Sequence, residues 1–250
     1  MNRYNIVLFG GSSTIGIKYL VQRIKTLKKK NMNISILLIG KNKVKLSSEK
    51  KNFQCFGINT DFFISNFEKI DNKIINTINS IRLDEVIFSY GKLFNNEKKQ
   101  NYLENIRKNL EINIQSKLLY LETVALRLEK QKKGTIVVFG SVSGDLGRKS
   151  NYPYGAANSA LENYVEGLQH KLSKFNKINI SLIKLGFVKS NMTDHIKNKN
   201  LLWISSSSAA KKIERKVLNK KRKSYVPFFW FWIMLILKSL PKFIFNKLNI

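Results

Sequence analysis

Two hydroxyl groups and an amide in the middle of the chain have the types and spacing to move protons. Ser141 ends the apolar run Ile136 to Phe139, and Tyr154 and Asn158 follow it, four residues apart. A short β-branched run entered from Gly134 reads as a buried strand, and the stretch after Tyr154 reads as a helix. A serine at the strand end and a tyrosine at the helix start then meet over one site. A phenol, with an unperturbed pKa near ~10, exchanges protons at neutral pH only where a cation favours its phenolate. One helical turn, about 6 Å of rise, sets position 158 on the same face as position 154. Asn158 hydrogen-bonds from there but brings no charge.

The elements that must position these groups begin at the first residues. Ile6 to Phe9 reads as a strand, and Gly10, Ser12, Ser13, Thr14, Ile15 and Gly16 form a glycine loop. A helix with Ile17, Leu20, Val21, Ile24 and Leu27 on one face comes next. Strand, glycine loop and helix make the dinucleotide-binding arrangement, in which loop amides and the helix N-terminus receive a pyrophosphate. Ile34 to Ile39 reads as the second strand. Lys41, Asn42 and Lys43 come after it, with no carboxylate before Glu49. Cations here favour a 2′-phosphate, hence NADP(H) over NAD(H), although the same lysines also read as solvated surface.

Phe53 to Ile58 reads as the third strand, ending near Asp61, and residues 66–81 as a helix. Val86 to Tyr90 reads as the fourth strand, running into Gly91. Residues 100–130 read as one long helix with the stripe Leu110, Ile114, Lys117, Leu118, Leu121 and Val124, and with Asn113 inside it. Ile178 to Leu185 is a further strand leading to Gly186, Val188 and Ser190. After it come residues 194–204, in which His195 and Trp203 are either pocket or surface residues. A basic helix over Ala209 to Lys223 and a strand over Lys223 to Val226 complete the alternation.

The Ser141 and Tyr154 pair resembles the short-chain dehydrogenase/reductase family, whose tyrosine opens a Tyr-x-x-x-Lys motif; here Asn158 takes the lysine position. The resemblance implies an α/β doubly wound parallel sheet of about seven strands, a Rossmann fold, over residues 1–227. It implies that Tyr154 is the general acid, that Ser141 binds a carbonyl oxygen, that Asn113 supports a water relay and that position 158 holds the ribose. It also implies a cofactor bound by Gly10 to Gly16, with Thr14 replacing the middle glycine of Gly-x-x-x-Gly-x-Gly. Asp61 would contact adenine, and Gly91 is what remains of Asn-Asn-Ala-Gly. Gly186, Val188 and Ser190 match Pro-Gly-x-Val-x-Thr, with Leu185 in place of proline. The implied activity is NADP(H)-linked interconversion of a ketone and an alcohol; the alternative is a pseudoenzyme. Residues 147–154 and the tail are similar to reductases of lipid-linked keto-sugars, such as decaprenylphosphoryl keto-pentose reductases. Homo-oligomers are common in the family.

The formal charge of +29 is unevenly spread, with +10 over residues 211–250 and +19 over the other 210. In the hydrophobic segment 228–250, aromatic residues sit between lysines. The apolar run from Tyr225 to Leu237 counts 13 residues, short of the ~20 residues that span a bilayer. Such a tail fits a helix lying on an anionic membrane, or one that packs on protein. Scattered lysines and no base-reading motif argue against nucleic acid. The single cysteine, Cys55, leaves no internal disulfide and suits a reducing compartment, so the expected place is the cytoplasm, peripheral at the membrane.

Overall fold

The computed structural model describes residues 3–94, 102–194, 196 and 201–248, so His195 lies outside the described residues. Seven strands form one parallel sheet: β1 Arg3–Phe9, β2 Asn33–Gly40, β3 Asn59–Ile64, β4 Glu85–Phe88, β5 Gly134–Ser141, β6 Ile178–Leu185 and, last in sequence, β9 Lys223–Val226. Their order is β3-β2-β1-β4-β5-β6-β9. Two-residue strands β7 Val188–Lys189 and β8 Ile204–Ser205 pair with each other to one side.

A parallel sheet is covered on both faces, which is why its strands are continuous apolar runs rather than alternating ones. In β1, Val7 and Phe9 enter one core while Ile6 and Leu8 enter the other. The first core is closed by α3 Asn72–Ser80, α5 Ser116–Gln131 and α6 Tyr152–Lys171. The second is closed by α1 Thr14–Lys28, α2 Lys43–Cys55 and α7 Ser206–Leu218. Chain direction across the sheet reverses between β1 and β4, and the crevice beyond the carboxyl ends of those strands is where such a sheet takes its ligand.

Three expectations need correction. Phe53 to Ile58 is not a strand: Phe53 packs as a helical residue of α2 in the same core as Leu46, and pairing to β2 begins only at Asn59. The helix expected over residues 66–81 is shorter, beginning at Asn72 after Asp71 caps it by accepting from the Lys73 N–H. The long helix is not uniform either. It runs as α4 Tyr102–Leu110, a π-helical turn over Glu111–Gln115, and then α5. A π turn inserts an extra residue into the helical ladder and rotates the turns beyond it, a distortion concentrated at functional sites.

The C-terminal segment folds back on the domain. In α8 Phe229–Ser239, Trp230 and Met234 are buried with Val142, Leu146 and Phe187. The opposite face stays open, with Phe228, Trp232 and Ile236 each more than half exposed. A short helix, α9 Lys242–Phe245, lies beyond it. Among the described residues no helix is long and apolar enough to cross a membrane.

Candidate active site

A cavity of about 580 Å³ opens where the strand order reverses, and its walls bring together most of the residues singled out by sequence. Gly10, Ser12, Ser13, Thr14 and Ile15 line one end, Ser141, Tyr154, Asn158 and Asn113 the middle, and Gly186, Val188 and Ser190 the other side. Lys41 and Gly91 also line it. Asp61 and Gly16 are not among the lining residues.

Local chemistry builds the first end. Gly10 adopts φ +95, a backbone region that side chains avoid, and so turns the chain from β1 into α1. Ser13 caps α1 by accepting from the Gly16 N–H at 3.2 Å. Beneath the loop, the Ser89 hydroxyl donates to Phe9 O at 3.1 Å, and a Cβ on Gly16 would fall 2.3 Å from Ser89 Oγ. Gly16 therefore fits the loop onto β4 rather than facing the cavity. No sequence signal pointed to Ser89. Thr14, in place of the middle glycine, donates to Asn191 Oδ1 at 3.0 Å and ties the loop to the segment after β6.

Asp61 corrects the expectation that it meets adenine. It sits mid-strand in β3, its carboxylate 3.1 Å from Lys50 Nζ and largely exposed. The error comes from placing the third strand too early, and Asn66, beyond the end of β3, lines the cavity instead. Beside it, Phe67 stacks on Tyr90 at 3.9 Å between centroids, making an aromatic wall. Lys41, Lys45 and Lys92 gather near this end, and burial together with repulsion from Lys41 and Lys108 lowers the Lys92 pKa.

At the centre, burial raises the Tyr154 pKa, while side-chain hydrogen bonds with Asn158 and Ser141 oppose that rise. Ser141 and Tyr154 line the same cavity. Ser141 Oγ also accepts from the Ser143 N–H at 3.1 Å, which orients it. Asn158 spends one amide proton on its own helix, donating to Tyr154 O at 2.9 Å. Asn113 is buried, with both ends of its side chain engaged. Oδ1 accepts from Lys92 N at 2.9 Å, and Nδ2 donates to Lys92 O at 2.8 Å and Asn109 Oδ1 at 2.5 Å. Its side chain is a clamp on the chain leaving β4, which leaves its amide no proton to give a water.

The far side is aromatic. Phe187 stacks on Trp203 at 4.9 Å and meets Trp230 edge-on at 4.7 Å. Trp230 lies so close behind Gly186 that a Cβ there would be 2.0 Å from its Nε1. Gly186 is thus required by the tail helix as much as by any ligand, and Trp203 is a pocket residue.

The short chain dehydrogenase family model matches residues 4–201. The chain belongs to that family. An uncharacterized oxidoreductase of Mycobacterium tuberculosis is 27% identical over 128 residues, 51% of each chain, so the match spans about half the length of that relative. An uncharacterized oxidoreductase of Staphylococcus epidermidis is 26% identical over 191 residues, 75% of this chain and 79% of that one. Among solved structures, a short-chain dehydrogenase from Sphingobium yanoikuyae in complex with NADPH superposes with a TM-score of 0.81 over 95% of this chain and 96% of its own, at 15% identity.

The residues present fit a nicotinamide dinucleotide. The loop has its left-handed glycine, and the cavity-lining lysines Lys41 and Lys45 carry no carboxylate partner among the described residues.

Proposed function

We propose that the protein is an NADP(H)-dependent oxidoreductase that interconverts a ketone and an alcohol on an amphiphilic or lipid-linked substrate, such as a keto-sugar. The observation that carries this reading is the half-buried Tyr154, which lines with Ser141 a cavity that a glycine loop also lines. The bound nicotinamide would supply or accept hydride. In the reducing direction Ser141 orients the carbonyl oxygen and Tyr154 gives it a proton as negative charge develops. Preference for the 2′-phosphate form rests on Lys41 and Lys45, and the Sphingobium neighbour is described with NADPH. The cavity-lining pair Phe187 and Trp203 suits an apolar substrate moiety.

The exposed face of α8 supports a peripheral site on an anionic membrane. Its 11 residues are about 16 Å long against a hydrocarbon core of about 30 Å, so it would lie in the interface with Lys238 and Lys242 toward headgroups. Salt-sensitive sedimentation with phosphatidylglycerol vesicles, absent from phosphatidylcholine vesicles, tests this part.

For the reaction, purified protein is titrated with NADPH by fluorescence and assayed on a panel of ketones. Tyr154→Phe is expected to bind NADPH normally and lose 10²-fold to 10⁴-fold in turnover. A second reading, a pseudoenzyme, is favoured by Asn158 at the lysine position. NADPH binding with no reduction of any ketone would establish it in place of the first.

A further inference from the structure

Buried polar atoms without a hydrogen-bond partner are uncommon, because each has given up its bond to water for nothing, and where they occur they mark a place kept for something else. Among the described residues four side-chain atoms are in this state: Asp145 Oδ2, Arg148 Nε, Asn151 Oδ1 and Trp230 Nε1. The first three all lie on the segment that joins Ser141 to Tyr154. The fourth is on α8, where Trp230 packs in one cluster with Leu146 of that segment.

Arg148 is the cation of this group. It is 9% exposed, and its guanidinium makes one hydrogen bond to a described residue, from Nη2 to Ser143 Oγ at 2.9 Å, and no ion pair. Asp145 compensates it only in part. Attraction from Asp145 opposes the fall in pKa that burial imposes, but Oδ1 of that carboxylate is held by Lys184 and accepts from the Tyr225 hydroxyl at 3.2 Å. A guanidinium keeps its charge in a protein interior, and a buried charge without a counter-ion is costly. An anionic oxygen group that meets its fork of N–H donors relieves that cost.

Donors surround Arg148. Ser143 lines the cavity, and since its Oγ accepts from Arg148, its hydroxyl proton is left to give. Asn151 also lines the cavity and stands at the N-cap of α6 without capping it. A half-turn of its amide exchanges the unpartnered Oδ1 for Nδ2 and puts a donor at that buried position. The first N–H groups of this 20-residue helix therefore have no side-chain acceptor, where backbone donors and the helix dipole favour an anion. Gly155 seats the first turn of α6 on Ser143, because a Cβ there would lie 2.7 Å from Ser143 O. The Ser143 N–H in turn donates to Ser141 Oγ at 3.1 Å, so these donors adjoin the reacting end of the cavity.

We propose that Arg148, with Ser143, Asn151 and the N-terminus of α6, forms a subsite for an anionic oxygen group of the substrate, a carboxylate or a phosphate, next to the ketone handled by Ser141 and Tyr154. The inference deepens the proposed function by assigning a charge to its substrate, and it rests on that reading for the ketone. Phe187 and Trp203 are left for the apolar part of the same molecule.

The experiment uses full-length protein and two pairs of ketones whose members differ in an anionic group: acetoacetate with methyl acetoacetate, and dihydroxyacetone phosphate with dihydroxyacetone. With NADPH, the wild type should favour the anionic member of one pair by about tenfold or more in kcat/KM, and which pair does so tells carboxylate from phosphate. In Arg148→Gln this preference should collapse to near unity, through KM, and in Arg148→Lys part of it should return. Asn151→Ala should reduce it by about threefold. A preference that survives in Arg148→Gln, or is absent from the wild type, would overturn the inference. Equal losses on both members of a pair would overturn it too, by marking Arg148 as structural. If Arg148→Gln does not fold, Arg148→Lys and Asn151→Ala decide, and wild-type preference in both overturns the subsite.

Calorimetry separates this inference from the reaction. Acetoacetate and dihydroxyacetone phosphate are titrated into wild type and Arg148→Gln, with and without saturating NADP+, which fills the glycine loop that would otherwise take a phosphate itself. If the wild type reduces no ketone, the proposed reaction fails, while anion binding about tenfold weaker in Arg148→Gln still upholds the subsite. If it binds no dinucleotide, the titrations without NADP+ decide in the same way. Equal binding by the two proteins, or none by the wild type, overturns the subsite.

Discussion

Lys117 and Lys184 are both sealed inside this fold, at 4% and 1% exposure, in opposite surroundings. Lys184, on β6, is paired with Asp145 and Glu162 and lies 5.3 Å from the Tyr225 ring centroid. Tyr225 in turn donates to Asp145 Oδ1 at 3.2 Å. Lys117, on α5, has only neutral neighbours. A paired buried charge joins elements: here β6, β9, α6 and the segment after β5. An unpaired one costs stability and persists only where the charge is used.

The largest effect expected from this contrast is on Lys184. Lys184→Met would leave two carboxylates facing each other in the interior, with Asp145 Oδ2 already lacking a partner. A loss of about 3–5 kcal/mol in urea unfolding at pH 7 is expected. Lys117→Met should do the reverse. The folded-state value of about 8 lies below the ordinary 10.5, so between them the unfolded chain binds more protons than the folded one. The penalty is therefore full below pH 8 and fades as pH rises to 10.5. The variant should be more stable than wild type by up to about 3 kcal/mol at pH 7, a gap that closes on the alkaline side. Equal stability of the two proteins across that range would mean that Lys117 is solvated or paired.

A smaller effect is expected from Glu162→Gln. Burial raises the Glu162 pKa, but hydrogen bonds and attraction from Lys184 and Lys223 outweigh it and hold the carboxyl below its ordinary value. Its stabilisation is present above the unfolded value near 4.5 and is lost as pH falls through the lowered folded one. Glu162→Gln should cost about 1 kcal/mol at pH 7 and make the acid side of the stability profile shallower. The two lysine sites thus shape opposite ends of that profile, which chemical denaturation from pH 3 to 10.5 would resolve.

What could be read before folding was what neighbouring residues decide. The glycine loop, the Ser141 and Tyr154 pair, β6 and β9 are each encoded within one short stretch of chain. Errors arose where two local signals competed. Phe53 and Phe56 suited a strand, but Phe53 continues the α2 face begun by Leu46, and moving β3 by several residues took Asp61 away from the cavity. Lys117 stood in an apolar stripe and drew no attention, because periodicity records where a side chain sits on a helix and says nothing of what faces it. Ser89, Asn66 and Trp230 carried no local signal, since each acts through an element far away in sequence.

Apolar periodicity and glycine spacing determined the alternation of strands and helices and the glycine loop after β1, because backbone geometry and burial at short range are enough for these. The tertiary structure alone decided the chemistry around Ser141 and Tyr154: which lysine keeps a charge without a partner, which asparagine is a clamp, and which tryptophan closes the wall behind Gly186. A side chain's charge and hydrogen bonding depend on atoms brought near it by other elements, and packing across the sheet, with one π turn in its path, sets those distances.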